Sequence, residues 1–110
     1  MDEETKRRVA RNESLFREAN EAIERGLWPE QEEQLIRFRC ECSGECGQPV
    51  EVSPLEYERA RQSGRTFIVL AGHEVPGVEE VVERHPDYVI VRKTGTSGDV
   101  ADRLDPREPD

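Results

Sequence analysis

The chain has 110 residues, enough for one small domain, and its charged share (37%) exceeds its hydrophobic share (34%), so apolar burial alone leaves the fold marginal. A formal charge of −9 opposes any general affinity for nucleic acid, whose phosphates select basic faces. No apolar run is long enough to span a bilayer, and no apolar segment follows the N-terminal charges, so neither a membrane helix nor a signal peptide is expected.

Residues 2–25 contain neither proline nor glycine, and Val9, Phe16, Ala19, Ile23 and Leu27 recur at spacings of three, four and seven. That period predicts one long helix with its apolar stripe turned inward. Asp2, Glu3 and Glu4 precede Lys6, Arg7, Arg8 and Arg11, an order that suits i,i+4 pairing and the positive end of the helix dipole. Gly26 marks the stop, and Trp28-Pro29 breaks the helix. Asn12 sits on the apolar stripe, where a solvated rim position is the simpler account. The polar face, with Arg11, Asn12, Glu13, Arg17, Asn20 and Glu21, offers donors and acceptors to a docking partner. The simpler expectation is that the helix serves its own core through the stripe.

In Leu35-Ile36-Arg37-Phe38-Arg39-Cys40 the alternation predicts a strand with Ile36, Phe38 and Cys40 on its buried face. Pro49-Val50-Glu51-Val52 predicts the return strand, so a cysteine loop sits at the tip of a hairpin with zinc-knuckle geometry. Ser53-Pro54-Leu55-Glu56 is a helix start, with Ser at the N-cap, Pro at N1 and Glu closing a capping box. Leu55 or Tyr57, together with Ala60, is expected to face inward and the arginines to face water. The β-branched and aromatic run Thr66-Phe67-Ile68-Val69-Leu70-Ala71 predicts the most buried strand. Residues 76–85 are expected to form a short helix stopped by Pro86, and residues 88–92 a last strand. From Lys93 onward the composition shifts to Gly, Thr, Ser, Asp, Arg and Pro, so residues 93–110 are expected as a flexible acidic tail, at most locally helical. Residues 1–92 then form a single α+β domain, a long N-terminal helix with a small, mainly antiparallel sheet of about four strands and helices on one face.

All three cysteines, Cys40, Cys42 and Cys46, fall within seven residues, with glycines at 44 and 47. Three is an odd number for a disulfide framework, and clustered thiols in a reducing compartment point to metal ligation, so a cytoplasmic location is expected. Three thiolates and one histidine suit a tetrahedral Zn²⁺ site. His73, flanked by Gly72 just past a buried strand, is preferred as the fourth ligand. His85 is better explained as a surface cation at a helix end, and Glu41, Glu45, Glu74 or water are the remaining alternatives. Such a site carries one net negative charge, which Arg37 and Arg39 on the incoming strand can balance. The competing account leaves the cysteines as free thiols, or joins Cys40–Cys42 or Cys42–Cys46 in a disulfide.

The stretch from Arg11-Asn12-Glu13 to Ile23, then Phe38-Arg39-Cys40-Glu41-Cys42 with Cys46, Ser53-Pro54-Leu55-Glu56-Tyr57, Ala71-Gly72-His73-Glu74 and Asp105-Pro106-Arg107 resembles a group of small, largely uncharacterised actinobacterial proteins. In that group the C-E-C…C and G-H-E elements travel together, which implies that Cys40, Cys42, Cys46 and His73 form one site. Some of its members sit beside regulatory modules, which implies a regulatory or adaptor role, and no activity carries over.

Three functions compete: a zinc-stabilised module acting through protein contacts, a thiol-based sensor that releases zinc on oxidation, and a zinc hydrolase with Glu74 or Glu41 as general base. The hydrolase lacks the HExxH spacing and the H-x-E…P-C-x-x-C deaminase order. A nucleic-acid role would rest on Arg37, Arg39, Arg59, Arg61 and Arg65 forming one basic patch against the overall charge.

Overall fold

The computed structural model describes residues 1–27, 31–44 and 46–107, so the Trp28-Pro29 break and the alternative ligand Glu45 lie outside the described residues. It has the expected α+β class, a long N-terminal helix against five strands in two antiparallel sheets. Helix α1 (Glu3–Arg25) is capped by the Asp2 side chain, which accepts from the Thr5 N–H, and it ends at Gly26. Strands β1 (Ile36–Arg39) and β2 (Pro49–Val52) form a hairpin in the register Phe38 opposite Val50. Ser53 then opens α2 (Pro54–Ala60) through a complete capping box with Glu56. Phe38 and Tyr57 stack with ring centroids 4.6 Å apart, which fixes α2 on the hairpin. Tyr57 and Ala60 are the inward residues of α2, and Leu55 is exposed.

The second sheet has the order β3 (Thr66–Leu70), β5 (Tyr88–Lys93), β4 (Glu79–Arg84). Its centre, Phe67, Ile68, Val69, Val89, Ile90 and Val91, is buried and forms one apolar core with Phe38, Val50, Val52 and Tyr57 of the hairpin and α2. Residues 76–85 correct the expectation of a short helix, because the run contains β4. Val78, Val81, Val82 and His85 fit a helical period, but the same run alternates between half-buried and exposed positions as an edge strand does. The edge of β5 supplies the partner, and the His85 N–H to Tyr88 carbonyl bond closes the turn at Pro86. A bulge at Val82 interrupts the register between Val81 and Glu83.

Beyond Lys93 the expected loose tail gives way to helix α3 (Gly95–Arg103), which packs on α1 and buries Ser97, Gly98, Val100 and Ala101. The following residues are tied down as well. The Arg107 guanidinium donates to Glu21, Glu24 and Glu58, and Asp105 accepts from Arg61. Arg61 is itself buried, which corrects the expectation that both arginines of that segment face water.

These partners explain which face α1 buries. The stripe expected inward is only half-buried at Val9, Phe16 and Ile23, and Ala19 is exposed. The buried line is Ala10, Glu13, Ser14, Arg17, Asn20, Glu21 and Glu24, again at helical spacing but polar. Burial of such groups costs free energy unless each finds a partner, and here most do. Arg17 donates to the carbonyls of Gly64 (2.5 Å) and Ala101 (2.8 Å) and lies over the Phe67 ring. Glu21 accepts from Arg61 and Arg107. Glu13 pairs with Lys93, whose ammonium also lies 2.6 Å from Glu79.

Two carboxylates on one buried ammonium leave a surplus negative charge. Burial, opposed by Lys93 and reinforced by Glu79, raises the Glu13 pKa from 4.5 to about 8. Between those values the folded chain holds a proton that the unfolded chain has lost, so this group's contribution to stability is complete at low pH and is lost as pH rises through the window. Thermal melts from pH 4.5 to 8 are expected to show a fall in midpoint that Glu13→Gln makes shallower, the remainder coming from Glu24, which burial also raises to about 8. Parallel curves for the two proteins would remove the assignment.

Candidate metal centre

Four of the residues singled out from the sequence meet in space. Cys40 follows the last residue of β1, and its N–H bonds to the Gln48 carbonyl (3.1 Å), extending the hairpin ladder by one rung. Cys42 and Cys46 lie in the connection to β2, where Gly47 adopts a φ of 69° that a residue with a Cβ rarely takes. His73 comes from the other sheet. After β3 the chain turns at Ala71-Gly72, Gly72 at φ 91°, and the His73 N–H bonds to the Leu70 carbonyl (2.9 Å). The Glu74 carboxylate accepts from the Gly72 N–H (2.9 Å) and holds that turn.

One ligand atom from each of Cys40, Cys42, Cys46 and His73 lies within 4.8 Å of the other three, close enough to bind a metal ion. The Cys40 Sγ to His73 Nδ1 distance is 3.7 Å. Two backbone donors already point at the sulfurs: Leu70 N–H at Cys40 (3.2 Å) and Gln48 N–H at Cys46 (3.5 Å). Cys40 and Cys42 are buried, Cys46 is half-buried, and all three are free thiols. Burial pushes the Cys40 thiol up, above the ordinary cysteine range. Burial also opposes ionisation of Cys46, but the Gln48 N–H and the neighbouring thiols outweigh it and lower its pKa.

Among the described residues the alternative ligands His85, Glu41 and Glu74 are engaged elsewhere. His85 stacks on Tyr88 at 4.3 Å and contacts Glu83 at 2.6 Å. Glu41 is fully buried on the far side of the cysteine loop, where its carboxylate accepts from Asn20 Nδ2 (2.8 Å), Tyr57 OH (2.8 Å) and the Ile68 N–H (2.9 Å). Burial raises the Glu41 pKa, and those three bonds, which favour the charged form, act against the rise. Burial and the adjacent Glu41 push the Tyr57 phenol well above its ordinary range, so it stays a donor.

Asn20, grouped by the sequence with a partner-facing surface, instead clamps the base of the loop: it donates to the Arg39 carbonyl and accepts from the Arg39 N–H. Arg39 lies with its guanidinium 5.2 Å over Phe16, and Arg37 is exposed opposite Glu51. Of the remaining arginines of the possible basic patch, Arg59 pairs with Glu83, Arg61 is buried, and Arg65 pairs with Asp99 and Asp102. Among the described residues no helix is long and apolar enough to cross a membrane.

Comparison with protein-family models, curated proteins and solved structures gives no match, so function rests on this geometry.

The turn that presents His73 has a definite cost of disturbance. A Cβ at Gly72 would meet open space, so Gly72→Ala acts only through backbone strain. Urea unfolding is expected to show a loss of about 1–2 kcal/mol. Gly44→Ala, also in open space but without a positive φ, is expected to stay within about 0.5 kcal/mol of wild type. Equal effects would mean that the Gly72 turn carries no strain requirement.

Proposed function

We propose that the protein is a small zinc-binding regulatory or adaptor module that acts through protein contacts, with a structural metal held by Cys40, Cys42, Cys46 and His73. The supporting observation is the convergence of four ligand atoms within 4.8 Å from loops of two different sheets. Zinc bonds of about 2.3 Å to sulfur and about 2.0–2.1 Å to nitrogen, set tetrahedrally, separate ligand atoms by about 3.6–3.8 Å. The 3.7 Å between Cys40 Sγ and His73 Nδ1 fits that edge. Three soft thiolates and an imidazole select zinc over hard cations.

Four protein ligands leave no open position for an activated water. The two carboxylates that a hydrolase would use are committed, Glu74 to the Gly72 N–H and Glu41 to the core. Acidic charge and paired arginines favour protein over nucleic-acid partners. Free clustered thiols suit the cytoplasm, and the resemblance to small actinobacterial proteins supports the regulatory half of the reading.

Protein purified under reducing conditions is expected to carry one zinc per chain. Chelation is expected to lower the unfolding free energy by about 3–4 kcal/mol, the linkage contribution of a ligand held far above its Kd. A folded, zinc-free protein that gains no stability from added zinc would overturn the proposal.

The greater exposure of Cys46 supports a second reading, release of the metal by oxidation. Cys42 and Cys46 thiolates would pass two electrons to hydrogen peroxide and close a disulfide, the peroxide leaving as two hydroxides. Peroxide titration with a zinc-responsive dye is expected to show release in step with Cys46 oxidation. Zinc retained at peroxide levels that oxidise ordinary thiols would exclude it.

A further inference from the structure

We propose that Glu41 is the positioning residue of the metal centre: its buried side chain fixes residues 40–42 to the edge of β3 and sets two of the four ligands in place before any ion arrives. The inference rests on the metal reading above and concerns what makes that site bind.

The C-x-C spacing supplies the starting point. In extended chain, alternate side chains point to opposite sides, so two cysteines turned toward one ion turn the residue between them the other way. That residue is Glu41, with no exposed surface at all. An apolar side chain would fill such a position without cost, whereas a carboxyl group there requires partners for both oxygens. It has them, and they come from three different elements. Ile68 of β3 donates its N–H to Oε1, while Asn20 of α1 and Tyr57 of α2 donate to Oε2. Three anchors in three directions fix a point, which a hydrophobic contact does not.

The same grip sets the distance to the fourth ligand. The Glu41 N–H bonds to the Ile68 carbonyl (2.9 Å), so residue 41 pairs with β3 through both backbone and side chain. Two residues along the same edge, the Leu70 N–H reaches the Cys40 sulfur. The Leu70 carbonyl in turn holds the His73 N–H. One short stretch of β3 and its turn therefore registers Cys40 against His73, with Glu41 as the fastening. Ordering of the loop is met by folding rather than by metal binding, and a site ordered in advance binds its ion more tightly.

The test uses the full chain and cobalt(II) as the probe, since a thiolate-bound tetrahedral cobalt gives visible absorption that reports ligand geometry. Zinc affinity follows by competition. Glu41→Gln keeps the size but places an amide donor against donors, and it is expected to weaken both metals about 10–100-fold, with an altered cobalt spectrum, as loss of an outer-shell partner does. Tyr57→Phe keeps the stack on Phe38, removes one bond to Glu41 and is expected to give a smaller loss in the same direction. Val91→Ala, in the buried centre of the second sheet, serves as a control that lowers the thermal midpoint while leaving affinity and spectrum unchanged. Should Glu41→Gln fail to fold, Tyr57→Phe carries the test. Wild-type affinity and spectrum in both variants, or losses no larger than that of Val91→Ala, would overturn the inference. A wild-type protein that binds neither cobalt nor zinc would overturn the metal reading itself, a distinct outcome.

Discussion

Strand β3 is an edge, and its outward N–H and C=O groups need partners that no strand supplies. The segment after β1 provides them: the Ile68 N–H meets the Glu41 carboxylate, the Ile68 carbonyl meets the Glu41 N–H, and the Leu70 N–H meets the Cys40 sulfur. This seam joins the two sheets. The candidate ligands lie along it, three on the hairpin side and one on the β3 side. The site's geometry thus follows from the way an open sheet edge is closed.

Around the seam the interior is unusually polar. A chain with few hydrophobic residues cannot line every packed face with them, and α1 instead buries Glu13, Arg17, Asn20, Glu21 and Glu24 against Lys93, backbone carbonyls, Arg61 and Arg107. Buried ionic contacts of this kind add little net stability over an apolar equivalent, but removal of one partner costs about 3–5 kcal/mol. Their effect is to specify which groups meet. Arg107 can satisfy Glu21, Glu24 and Glu58 together only when α1, α2 and the segment after α3 are all in place.

Much of this was legible in the sequence where the determinant was local. Alternation announced β1, Pro49–Val52 followed as its return strand, the β-branched run announced β3, and Ser53 with Glu56 announced α2. The four candidate ligands were legible because three cysteines within seven residues and a glycine-flanked histidine are uncommon together. The strand β4 was misread because a short run with valines at 78, 81 and 82 satisfies two periods, and only the vacant edge of β5 decides between them. The helix α1 was legible as a helix, but not its inward face, since the partners of Arg17 and Glu21 lie 40 to 86 residues away. Glu41 was not legible as a core residue: the C-x-C spacing turns it away from the two cysteines, but the alternation of β1 groups it with Arg37 and Arg39, and only its partners Asn20, Tyr57 and Ile68 place it inside.

The long separations that hold α1 also govern how the molecule is made. Arg17 bonds to a carbonyl 84 residues further along, and Glu21 to a guanidinium 86 residues further along. A nascent chain exposes this helix early; Arg61 and Gly64 supply the first partners of Glu21 and Arg17, and Arg107 and Ala101 complete them only after the second sheet has been made. Contacts this far apart along the chain make topology, rather than helix formation, set the pace of folding.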